Sequence, residues 1–150
     1  MSSPAVYSAS CLCGAIKLSL EGEPSVQGAC HCNNCQKVSG AACSTNAMFP
    51  LAGLKIVSGE PKVYTVTNTG SGKPVQLNFC GTCSSPLWTY SERRPDRAII
   101  KTGVLDDAGL SKFDPKGETF TTQRATWLKP IEGAVQLERG VPVQQAPVFK

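Results

Sequence analysis

Seven of the eight cysteines in this chain fall into three tight clusters: Cys11-Leu-Cys13, Cys30-His-Cys32-Asn-Asn-Cys35 and Cys80-Gly-Thr-Cys83. Paired thiols at these short spacings read as metal ligands. Two plus two closes a four-thiolate site, the usual arrangement of a structural zinc. The remaining three leave a second ion one ligand short. An ion with an open position is a Lewis acid, and it can hold a substrate thiolate at neutral pH. Cys30, Cys32 and Cys35 are therefore the candidate catalytic ligands.

Two residues compete for the open position. Cys43 could complete a second closed site, but it lies in the apolar run Ala41-Ala-Cys-Ser-Thr-Asn-Ala-Met-Phe49, where a lone cysteine reads as a small buried hydrophobe. His31 is the only histidine, and in extended chain a residue between two ligands points the opposite way. A surface or supporting role suits it better than ligation. Lys37, two residues past Cys35, is a candidate for an anionic substrate, against its plain reading as a solvated lysine. Asn46 is a second candidate for substrate contact, with Met48 and Phe49 beside it, although apolar stretches are more often core than pocket wall. Trp88 and Tyr90 alternate on one strand and read first as core, second as an aromatic wall. Asp106 and Asp107 are adjacent, so on a strand they face opposite ways and make a poor acid/base pair. Arg93, Arg94 and Arg97 read as a solvated loop, or as a rim that attracts anions.

The elements that must position these residues are mostly short strands. Ile16, Leu18 and Leu20 alternate with polar residues, as do Val75, Leu77 and Phe79, and period two means half-buried strands. Residues 54–57, 62–67 and 97–102 are rich in β-branched side chains and read likewise. Gly- and Pro-bearing turns separate them. One short helix is expected over 33–38, stopping at Gly40. The first and third clusters sit at strand ends: Cys80-Gly-Thr-Cys83 follows the Val75 strand, with Gly81 supplying the tight turn, and Cys11-Leu-Cys13 precedes the Ile16 strand. If those two strands are neighbours, four thiolates meet at one zinc and link metal binding to folding.

Length bounds this to one domain, 1–150, with a core over about 10–130 and a tail or lid strand over about 141–150. The formal charge of +4, with no Lys/Arg run, argues against a nucleic-acid partner. The first ten residues lack a basic region and an apolar core, so no signal peptide is expected. No stretch approaches the ~20 apolar residues of a membrane span. A reducing, cytoplasmic location follows as an expectation, and there the clusters read as metal sites before disulfides.

The motifs together are specific. Cys11-x-Cys13-Gly14, then Cys30-His-Cys32-x-x-Cys35-x-Lys37-x-Ser39-Gly40, then Phe79-Cys80-x-x-Cys83-x-x-Pro86-Leu87 resemble the glutathione-dependent formaldehyde-activating enzyme (GFA) family, which includes the centromere protein V-like proteins. The resemblance runs from about Ser10 to Trp127 and takes in Ile100-Lys-Thr-Gly-Val-Leu-Asp-Asp107 and Arg124-Ala-Thr-Trp127. It implies a mainly β, Mss4-like fold of short antiparallel sheets with zinc knuckles. It implies two zincs per chain: a structural one on Cys11, Cys13, Cys80 and Cys83, and a catalytic-type one on Cys30, Cys32 and Cys35. It implies a carbon–sulfur lyase-type activity on a thiol adduct, with glutathione as co-substrate for formaldehyde or another carbonyl compound. A biosynthetic zinc enzyme for a larger carbonyl-bearing metabolite, or a zinc-stabilised binding module, are the alternatives. One departure stands out: the glycine usual after the second knuckle is Ser84.

Overall fold

A computed structural model describes residues 3–106 and 109–142. Eleven strands and one helix are described. They are β1 (Val6–Ser10), β2 (Lys17–Glu21), β3 (Val26–Cys30), α1 (Asn33–Ser39), β4 (Ser44–Pro50), β5 (Leu54–Ser58), β6 (Lys62–Val66), β7 (Val75–Phe79), β8 (Pro86–Ser91), β9 (Arg97–Lys101), β10 (Gly117–Thr119) and β11 (Val135–Leu137). They form a three-stranded sheet in the order β1-β2-β5 and an eight-stranded sheet in the order β11-β10-β3-β4-β9-β8-β7-β6. The alternating and β-branched segments appear as strands where expected. β1, β3, β4, β10 and β11 were not marked as strands by the sequence: Val26-Gln-Gly-Ala-Cys30 contains a glycine and no aromatic residue, β4 lies in a run read only as apolar, and β10 and β11 span three residues each.

Two details depart from the sequence reading. The sheets are not wholly antiparallel, since β10 pairs in parallel with β3 and with β11. Parallel neighbours need long connections, and β10 returns from the far end of the chain to lie beside β3. Nor are β2 and β7 neighbours. β2 pairs with β1 and β5, while β7 pairs with β6 and β8. The two cysteine pairs therefore reach towards each other from different sheets.

The core joins those sheets. Leu18 and Leu20 of β2 lie in one apolar cluster with Phe49 of β4, Leu87 and Trp88 of β8, and Ile100 of β9. The Tyr7 and Phe49 rings meet edge to face at 5.3 Å. Cys11 and Cys80 are members of the same cluster. Phe49, 1% exposed, is thus core and not pocket wall.

β7 follows its alternation only in part: Gln76 is exposed, but Asn78 on the same face is buried. Asn78 is 7% exposed and its Nδ2 donates to the Trp88 carbonyl at 3.5 Å, while Leu77 and Phe79 are only half-buried.

Candidate functional site

At the first centre, Cys11 opens the turn between β1 and β2, and Cys80 directly follows β7. Cys11 Sγ lies 3.5 Å from Cys13 Sγ, which lies 3.8 Å from Cys80 Sγ. A tetrahedron with Zn–S bonds of ~2.3 Å has edges of about 3.8 Å, so the spacing suits zinc. Backbone N–H groups point at the sulfurs, from Ile16 to Cys11 (3.2 Å) and from Thr82 to Cys80 (3.4 Å). Ser85 ties the two knuckles together. Its Oγ accepts from Leu12 N at 3.0 Å and lies 3.2 Å from Cys83 Sγ. The Ser85 hydroxyl, then its N–H, pulls the Cys83 thiol down to about 5. The left-handed residue of this knuckle is Ser84, at φ 62°, and Gly81 has no positive φ. Glycine's freedom is thus missing where the backbone needs it.

The second centre is built on a strand-to-helix junction. Cys30 ends β3, Cys32 caps α1, and Cys35 lies in its first turn. Cys35 N donates to Cys32 Sγ at 3.3 Å. Gly40 closes the helix at φ 62°, the left-handed conformation that glycine adopts without strain. Gln36 fastens the helix by donating to His31 O (2.7 Å) and Gln123 O (3.0 Å). The thiols of Cys30 and Cys35, donating to Cys32, push it down to about 2, and the N–H groups of Cys35 and Asn34 add to this. The same contacts push Cys35 up.

In each cluster the sulfurs lie within 4.8 Å of one another, so both could hold a metal ion. An all-thiolate donor set favours a soft ion such as zinc. Cys43 belongs to neither cluster, and none of the eight cysteines is in a disulfide.

His31 points away from the sulfurs. Its Nε2 lies 2.7 Å from Glu118 Oε1, and the two residues are 2% and 1% exposed. Glu118 Oε2 accepts from Ile131 N and Gln136 Nε2, both at 2.7 Å, and Arg124 lies at 3.3 Å. Burial raises the Glu118 carboxyl, but the hydrogen bonds from Gln136, Ile131 and His31 and the Arg124 charge outweigh it and hold it low. A carboxylate can only accept, so His31 Nε2 is the donor in this contact.

Lys101 is the site residue that the sequence reading missed. On the outer face of the eight-stranded sheet, β9 sets Lys101 opposite Asn46 of β4. Lys101 Nζ donates to Ser44 Oγ (3.1 Å) and Asn46 Oδ1 (2.9 Å). Asn46 Nδ2 donates to Ser44 O at 3.0 Å, which turns the amide oxygen to the ammonium. Burial lowers the Lys101 pKa, and the nearby thiols of Cys35, Cys30 and Cys32 oppose that shift. Only the strand register reveals this, because Lys101 and Asn46 are fifty-five residues apart.

A cleft of about 280 Å³ opens beside Lys101. Val38, one turn beyond Cys35, forms part of its wall with Tyr64, Leu77, Phe79, Pro86 and Trp88. Trp88 is 8% exposed, so it belongs to the core and meets the cleft at its margin. The other candidates lie elsewhere. Lys37 is exposed and outside the cleft wall. Met48 and Tyr90 do not line it either. Arg94 donates to the carbonyls of Val141 and Pro142, at 3.1 and 3.0 Å, and Arg97 pairs with Asp96. Asp106 accepts from Ser10 Oγ at 2.5 Å, against β1. Asp107 and residues 143–150 lie outside the described residues.

Residues 6–123 match the sequence profile of the glutathione-dependent formaldehyde-activating enzyme. The chain belongs to the glutathione-dependent formaldehyde-activating enzyme family. The GFA match contains all seven clustered cysteines and Lys101, and it ends before the Arg124–Trp127 segment that the motif comparison had included. A crystal structure of a Rhodobacter sphaeroides protein, a structural-genomics target, is similar in fold. It has a TM-score of 0.53 and 17% identity, over 87% of this GFA-family chain and 98% of that one. No curated protein matches the sequence. Among the described residues, no helix is long and apolar enough to cross a membrane.

Proposed function

We propose that this GFA-family protein is a zinc-dependent lyase-type enzyme that makes or breaks the carbon–sulfur bond of a thiol–carbonyl adduct. The observation that carries this reading is the three-sulfur cluster, one ligand short of a tetrahedron, beside a cleft with a fixed cation. Zinc held by three thiolates supplies an open Lewis-acidic position. Cys30, Cys32 and Cys35 would hold it, and Cys11, Cys13, Cys80 and Cys83 would hold a second, structural zinc. In the cleavage direction the adduct's hydroxyl loses its proton, the carbon–oxygen double bond forms, and the carbon–sulfur bond breaks. The sulfur leaves with the bonding pair and takes up a proton. Condensation is the reverse. Lys101 spends two of its three N–H donors on Ser44 and Asn46, and the third is directed to the negative charge that develops on the adduct oxygen.

Glutathione with formaldehyde is the pairing that the family's name suggests, and a small-molecule substrate in a reducing cytoplasm suits free thiols. Neither nucleic acid nor membrane is proposed as a partner. A binding module would need no cleft beside the triplet, so the cleft favours the enzyme reading.

Cys32→Ser tests it. Zinc content should fall from two to one per chain, and turnover of thiol–aldehyde adducts should drop by at least ~10²-fold. A variant with two zincs and full activity would sink the proposal.

A further inference from the structure

The cleft restricts which adduct can be the substrate. Six side chains of its wall are apolar or aromatic: Val38, Tyr64, Leu77, Phe79, Pro86 and Trp88. Its other lining residues apart from Lys101, namely Asn78, Ser84 and Thr89, are uncharged. Among the described residues Lys101 is the one charged group of the wall, and it stands on the side of the triplet, where two of its donors are already used. Glutathione carries two carboxylates and an ammonium at neutral pH. No other described residue of this wall would pair with them, and desolvating unpaired charges is costly.

The wall is also apolar by construction. β7 leaves Leu77 and Phe79 half-buried at the cleft, and the Asn78 amide beside them donates to the Trp88 carbonyl. Tyr64 of β6 stands opposite Leu77 in the register and is 62% exposed. Opposite Leu77 on the other side is Thr89 of β8, 7% exposed, whose Oγ1 has no hydrogen-bond partner among the described residues. Buried hydroxyls are normally satisfied, so an unpaired one in a cleft wall points to a ligand.

We infer that the substrate is an adduct with an uncharged apolar body, aromatic or aliphatic, carrying a polar group in reach of Thr89, and that glutathione is a poor fit. This rests on the proposed open metal position. The reacting end would lie between the triplet and Lys101, and the body along Tyr64, Leu77 and Phe79.

The test is calorimetric, on the zinc-loaded full chain, with three thiol probes: benzyl mercaptan, 2-mercaptoethanol and glutathione. Benzyl mercaptan should bind at least about tenfold more tightly than either of the others, the low end of what burying a phenyl-sized group contributes. Leu77→Asp should abolish that preference without changing zinc content. Tyr64→Ala, at an exposed site, should reduce it about threefold. Glutathione binding as tightly as benzyl mercaptan, or a preference untouched in both variants, would overturn the inference and leave the open metal position standing. If none of the three thiols binds protein that holds two zincs, the open position itself fails, and this inference with it.

Discussion

His31 Nε2 lies 2.7 Å from Glu118 Oε1, and this buried contact ties the peptide between Cys30 and Cys32 to a strand eighty-seven residues further on. β10, which carries Glu118, pairs with β3 beside it, and His31 N donates to Thr119 O at 3.0 Å. One carboxylate thus gathers His31, Arg124, Gln136 and the Ile131 N–H behind the triplet.

Glu118→Gln should therefore destabilise the protein by about 3 kcal/mol near neutral pH, the scale of breaking a buried charged network. The folded carboxyl is held below the ordinary carboxylate value. A depressed carboxyl contributes stability that is present above the unfolded value of ~4 and lost as pH falls through the lower folded value. The gap between wild type and variant in urea unfolding should be widest above pH ~5 and should close in more acid solution. A gap independent of pH would refute the electrostatic account.

Ser84 sits at φ 62°, in the left-handed region, between Cys83 and Ser85 of the structural knuckle. A non-glycine residue held there costs on the order of 1 kcal/mol or more. Glycine would relieve this, less part of the gain because it also frees the unfolded chain. Ser84→Gly should stabilise by about 0.5–1 kcal/mol and raise the melting temperature by about 1–4 °C, with zinc content unchanged. A drop in melting temperature would contradict the assignment of strain to this residue.

The two metal centres should respond differently to loss of a ligand. Cys80 is 1% exposed and packs in the core between the two sheets. A structural zinc contributes ~10 kcal/mol to folding, comparable to the ~5–15 kcal/mol stability of a whole domain. Cys80→Ser should not fold, as read by circular dichroism. Cys35→Ser should stay folded with one zinc. Cys43→Ser should keep two zincs, since Cys43 belongs to neither sulfur cluster. Loss of a zinc in Cys43→Ser would mean that the triplet has a fourth thiolate.

Cysteine spacing and strand periodicity are local properties, and they determined a good deal. Cys30, Cys32 and Cys35 are close enough in sequence for one turn to bring them together, whatever surrounds them. The helix over Asn33–Ser39 and its stop at Gly40 followed from local capping, and the alternation through Leu18 and Leu20 marked β2. Register, sheet order and the choice of buried face are long-range, and only the tertiary structure decided them. It set Lys101 against Asn46, Glu118 behind His31, and the Cys11 and Cys80 knuckles on two separate sheets. It also left Leu77 and Phe79 half-buried at the cleft. The alternation in β7 shows two faces of different polarity, but which face is covered depends on what packs against the strand. Phe49, Leu87 and Trp88 pack into the core, while Leu77 and Phe79 stay half-buried along the cleft.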